Sequence, residues 1–122
     1  MNGYGFRKLT VWQKSIELVE HIYKNVLPKY PKSEIFGIVS QIGRSAVSIP
    51  SNISEGTGRY SKKEFKQFLY NARGSLFELV TQMDISLKLG YITKSDYEKL
   101  NDMMAEISGL LNGLINSLKQ QI

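Results

Sequence analysis

Cysteine is absent from this chain, and histidine and tryptophan each occur once. Without cysteine there are no disulfides and no thiolate metal sites, which fits a reducing, cytoplasmic setting. A lone His21 cannot supply the paired Glu-x-x-His motifs of a carboxylate-bridged dimetal bundle. It also stands near no nucleophile elbow of the kind that serves a hydrolase triad, so neither an enzyme nor a cofactor is expected. A solvated surface position suits His21 better than a ligand role. Apolar runs are short as well. None approaches the roughly 18 uncharged apolar residues of a membrane span, and "MNGYGFRKLTVWQ" lacks the pattern of a signal peptide.

What remains is a basic chain of 122 residues, the size of one domain spanning 1–122, with a net charge of +5. The charge is uneven. Residues 1–32 carry six basic and two acidic side chains, and residues 59–73 hold five basic against Glu64 alone. The last 49 residues carry four basic and six acidic. Such blocks point to a polyanion partner better than the total does.

Apolar spacing is helical throughout. In the first segment Trp12, Ile16, Val19, Tyr23 and Val26 recur in steps of four and three, and "PKYPKSE" then breaks the helix with Pro28 and Pro31. Ser33 is the expected N-cap of a second segment, whose stripe is Ile35, Ile38, Val39, Ile42, Ala46, Ile49 and Ile53. The spacing continues through Pro50. One helix kinked there is therefore expected, with Ser51 and Asn52 serving the freed backbone groups. Gly56 or Gly58 is expected to end it in the left-handed conformation.

Ser61 and Glu64 then form a capping box, and Phe65, Phe68, Leu69, Ala72, Leu76, Leu79, Val80 and Met83 give a third stripe that Gly90 ends. Thr93, with Asp96 three residues on, caps a fourth helix whose stripe is Tyr97, Leu100, Met104, Ile107, Leu111, Leu114 and Leu118. Short links make neighbours antiparallel. The expected fold is an all-α, up-down-up-down four-helix bundle.

The string "SIPSNISEGTGRYSKKEF" at 48–65 has the glycines and cations of a phosphate loop but neither its spacing nor its preceding strand. Together with "FRKLTVWQKS" at 6–15, "FGIVSQIGRSAVSIPSNISEGTGR" at 36–59 and "EFKQFLYNARGSLFEL" at 64–79, it resembles the four-helix bundle protein family. Its members are also called 23S rRNA intervening-sequence proteins, and some are accessory proteins of diversity-generating retroelements. The resemblance implies a ring-like homopentamer without catalytic activity and a role with nucleic acid. One departure is Gly43-Arg44, where the family usually has two adjacent arginines.

The candidate nucleic-acid face comprises Arg59, Lys62, Lys63, Lys66 and Arg73, with Arg44 as a contributor. At about 100° per residue, Lys62, Lys66 and Arg73 fall within roughly 40° of one another, and the apolar stripe is centred about 80° away. Tyr70 and Phe77 lie close to that face. Aromatics there either stack on unpaired bases or meet a neighbouring subunit. Phe77 suits the oligomer interface, while Tyr70 suits both. An RNA or DNA ligand bound through backbone charge is the leading expectation, and a protein-interaction scaffold is the alternative. Trp12 reads as core.

Overall fold

The computed structural model describes residues 4–119. Four helices share one buried core: α1 (Thr10–His21), α2 (Ile38–Thr57), α3 (Lys62–Lys88) and α4 (Lys94–Lys119). No strand occurs among the described residues. Each helix packs on the next, and α4 returns to α1. The bundle is the one the spacing predicts.

α1 continues as a π-helical turn, Ile22–Val26, before the tight turns Leu27–Lys29 and Lys32–Glu34 carry the chain past both prolines. Its inward face is rotated by one residue from the expected stripe. Val11, Ser15, Leu18, Ile22 and Val26 are buried, whereas Ile16 and Tyr23 are 40% and 49% exposed. Both sets keep helical spacing, because the apolar arc of α1 is wide enough to offer two registers. Leu18 and Ile22 go inward, and Trp12 and Tyr23 take the rim together with Ile16 and Val19. Ser15 is tolerated inside because its hydroxyl donates to the Trp12 carbonyl at 2.7 Å. Trp12 is half-buried, edge-on to Phe6.

The start of the second helix also differs from expectation. α2 begins at Ile38, with Gly37 rather than Ser33 at its N-cap, and Ile35 is 57% exposed. Prolines at 28 and 31 use up the preceding chain in tight turns, so the helix nucleates later. From Ile38 it runs unbroken through Pro50. Ser51 Oγ donates to the Val47 carbonyl and Asn52 Nδ2 to that of Ser48, both at 2.8 Å, so neither serves the Ala46 carbonyl that Pro50 deprives of its helical amide.

Neither glycine at the end of α2 is left-handed. Gly58 caps the helix at φ −85°, and the only positive φ among the described residues is at Gly90. Gly56 is required for closeness instead: a Cβ there would lie 2.8 Å from Phe68 Cβ and 2.9 Å from Phe65 Cδ1. That lets α2 and α3 approach tightly, and a Ser48–Ser75 hydroxyl pair at 2.8 Å continues the seam.

The later elements follow the predicted signals closely. The Ser61 hydroxyl accepts from the Glu64 amide at 3.1 Å and donates to its carboxylate at 3.2 Å. α3 ends in a Schellman turn, with Gly90 at φ 77° and the Tyr91 amide donating to the Ser86 carbonyl at 2.9 Å. Thr93 and Asp96 form a reciprocal box, each backbone amide donating to the other's side chain. Buried Ile115, in place of half-buried Leu114, completes the α4 stripe.

Candidate nucleic-acid interface

The basic block divides in two once the chain folds. At the start of α3, Lys62 and Lys63 are exposed and Lys66 is half-buried on the same side. None of the three makes an ion pair with a described residue. Glu64, the one acid in that turn, is engaged with Ser61. Lysines here also face the positive end of the α3 dipole, an arrangement that costs stability.

Further along α3 the cations are committed internally. Arg73 Nη1 donates to Asn112 Oδ1 of α4 at 2.9 Å, and its guanidinium lies 4.9 Å from the centre of the Tyr70 ring. Lys119 approaches the same ring at 5.8 Å. The Lys119 ammonium, beside the phenol oxygen, lowers the Tyr70 pKa against a weaker opposing effect of burial, and Arg73 and Lys66 add to the lowering. Tyr70 is thus a tie between α3 and α4, half-buried against the core. Lys119 and Asn112 lie outside the basic block, so charge runs alone did not reveal them.

Arg59 is similarly occupied. It pairs with Glu55 at 3.0 Å and lies 4.6 Å above the Phe68 ring. Arg44 is exposed on α2, where it lines an open groove of about 1080 Å³ between α2 and α3 with Tyr23, Val47 and Glu78. A Cβ at Gly43 would stand 2.5 Å from the Tyr23 hydroxyl, so glycine gives that ring its place beside the groove.

Phe77 is 55% exposed and, with Ile85, lines a second, smaller groove that shares Gln41, Glu78 and Gln82 with the first. Phe36, at 94%, and Val47, at 43%, extend the apolar band along the first groove. Gln82, buried where it lines both grooves, has an Oε1 with no hydrogen-bond partner among the described residues. Exposed aromatics grouped in this way mark a contact surface.

His21 is half-buried rather than solvated and bonds Asn25 at 3.1 Å. Burial, reinforced by the Lys99 charge, lowers its pKa. No group of three His, Asp or Glu gathers as a metal site among the described residues, and no described helix is long and apolar enough to cross a membrane.

One aromatic escaped the sequence reading. Tyr60 stands in the turn between Arg59 and Lys62, and its side chain is fully exposed. It falls outside every apolar stripe, and an aromatic placed in a turn among cations is the signal that could have found it.

The sequence profile of the 23S rRNA-intervening sequence protein family matches residues 7–113. Among solved structures, the chain is similar to a protein of unknown function from the S23 ribosomal protein family of Bacteroides thetaiotaomicron. The two are 30% identical with a TM-score of 0.80, over 87% of this chain and 98% of the other. No curated protein matches. The chain belongs to the 23S rRNA-intervening sequence protein family.

Proposed function

We propose that this protein is a non-enzymatic, oligomeric helical bundle of the cytoplasm that binds RNA or DNA through backbone charge, with little sequence reading. The observation that carries the proposal is the set of Lys62, Lys63 and Lys66, gathered at one end of α3 with only Glu64 among them and in ion-pair contact with no described carboxylate. Phosphates are the natural counterions for such a set, and their binding releases condensed cations. Arg59, Arg73 and Arg44 are secondary, since the first two are already engaged within the chain and the third lines the groove.

Self-assembly belongs to the same reading. The apolar band of Phe36, Val47, Phe77 and Ile85 suits a contact between copies, and a ring of five would repeat the cationic turn around its circumference. Repetition turns weak single contacts into useful avidity.

The test is fluorescence anisotropy of a labelled structured RNA and a matched DNA duplex, titrated at two salt concentrations. Three phosphates per chain predict a loss of roughly 20- to 40-fold between about 50 and 200 mM salt. The triple change Lys62→Glu, Lys63→Glu and Lys66→Glu should abolish binding while leaving the oligomer intact. Absence of binding by the unaltered protein at low salt would overturn the proposal. The exposed apolar band would then favour the second reading, a scaffold for another protein.

A further inference from the structure

From the turn between α2 and α3, we infer that Tyr60 is a stacking platform for an unpaired base, so that the partner is nucleic acid with single-stranded bases rather than a continuous duplex. The inference rests on the backbone-charge reading above and adds to it the part of the ligand that is recognised.

Three observations converge on this residue. Tyr60 is fully exposed, so no described element covers it. It makes no hydrogen bond, ring contact or cation contact with any described residue. Its sequence neighbours are Arg59 on one side and Ser61, Lys62 and Lys63 on the other. Tyr70 offers the contrast: its ring is already approached by Arg73 and Lys119 and ties two helices together. Phe77 lies farther along α3, in the smaller groove beside Ile85 and away from the lysines of the first turn. Tyr60 is therefore the aromatic of the basic block whose faces remain open.

The chemistry follows from what each group can accept. A phenol ring offers a π face to any base, so stacking is tolerant of sequence. Ammonium groups on the adjoining residues meet the phosphates on either side of the stacked nucleotide. Bases inside a duplex are stacked on one another and present no free face, whereas loops, bulges and ends do. A turn that carries the ring beyond the helix surface reaches such bases without opening a pair.

The experiment compares a labelled unstructured single strand with a duplex of equal length, titrated by anisotropy at low salt. The proteins are the unaltered chain, Tyr60→Ala, Tyr60→Trp and the triple lysine-to-glutamate variant. Tyr60→Ala should weaken single-strand binding by roughly 5- to 150-fold, the span measured for loss of one stacked base. Duplex binding should change by no more than about twofold, because backbone contacts remain. Tyr60→Trp should retain single-strand binding. Equal weakening of both ligands, or none, with the lysine variant still defective, overturns base stacking while leaving the charge reading intact. No binding by the unaltered chain removes both. A fall in oligomer mass for Tyr60→Ala in analytical ultracentrifugation, with single-strand affinity unchanged, reassigns the ring to a contact between copies.

Discussion

α3 is joined to its neighbours by two short turns, and the two are furnished very differently. At the α3–α4 junction the side chains of Tyr91, Thr93 and Asp96 all have partners. Gly90 supplies the left-handed residue, Thr93 and Asp96 cap one another, and Lys29 reaches Asp96 at 3.0 Å. Tyr91 donates to Glu34 at 2.7 Å, and Ile92 is buried. At the α2–α3 junction, Gly58 has an ordinary right-handed φ, Tyr60 is bare, and Lys62 and Lys63 pair with no described residue. The first junction spends its side chains on stability. The second leaves cations and an aromatic unspent, and groups a fold does not use are where binding is to be sought.

The largest expected difference concerns the apolar residue of each turn. Ile92→Ala should cost roughly 2–5 kcal/mol, because a buried side chain is removed from the core. Tyr60→Ala should change stability by no more than about 0.5 kcal/mol, since the ring touches nothing. Urea denaturation of both variants measures the gap. A large loss from Tyr60→Ala would mean that the ring is covered in solution, and the contrast between the junctions would fail.

The two glycines give a smaller and opposite pair of effects. Ala at position 90 would need φ near 77°, a conformation that costs an L-residue roughly 1–2 kcal/mol. At Gly58, φ is −85° and a Cβ would meet the Glu55 carbonyl oxygen at 3.5 Å, an ordinary contact. Gly58→Ala should therefore stabilise by roughly 0.4–1 kcal/mol through the unfolded chain. Thermal melts that moved in the same direction for both would contradict the assigned backbone conformations.

How much of this could be read beforehand depended on whether the cause was local. The capping pairs Ser61–Glu64 and Thr93–Asp96, the stop at Gly90 and the stripes of α3 and α4 all follow from residues within a few positions of each other. The face of α1 did not, because Val11–Leu18–Ile22 and Trp12–Val19–Tyr23 fit the helical period equally well. Only the surroundings of the helix choose between them. Gly56 was misjudged for a similar reason: Phe65 and Phe68, which need it bare, arrive from the next helix. Of the site, the lysines were legible as a charge run. The fate of Tyr70 was not, since Asn112 and Lys119 come from α4. Tyr60 was overlooked because periodicity ranks residues by fit to a stripe, and a turn residue belongs to none.

The smallest effect separating the junctions is electrostatic and has a definite sign. Burial alone would raise the Asp96 pKa, but hydrogen bonds from Lys29 and Thr93 outweigh it and hold the carboxyl below its ordinary value. Around the ordinary carboxylate range the unfolded chain then binds more protons at this residue than the folded one. The stabilisation is fully present above that range, from about pH 5 upward, and is lost as pH falls through the lowered folded value. Because the ion pair lies near the surface, the loss should be no more than roughly 1 kcal/mol. Asp96→Asn should remove that part of the acid dependence, measured as denaturation midpoints from neutral pH down to about pH 3, where the residues on the carboxylate scale titrate. If the variant instead followed the unaltered protein in parallel, neither the Lys29 bridge nor the Thr93 hydrogen bonds would favour the charged carboxylate, and the α3–α4 turn would owe its stability to Ile92 and Gly90.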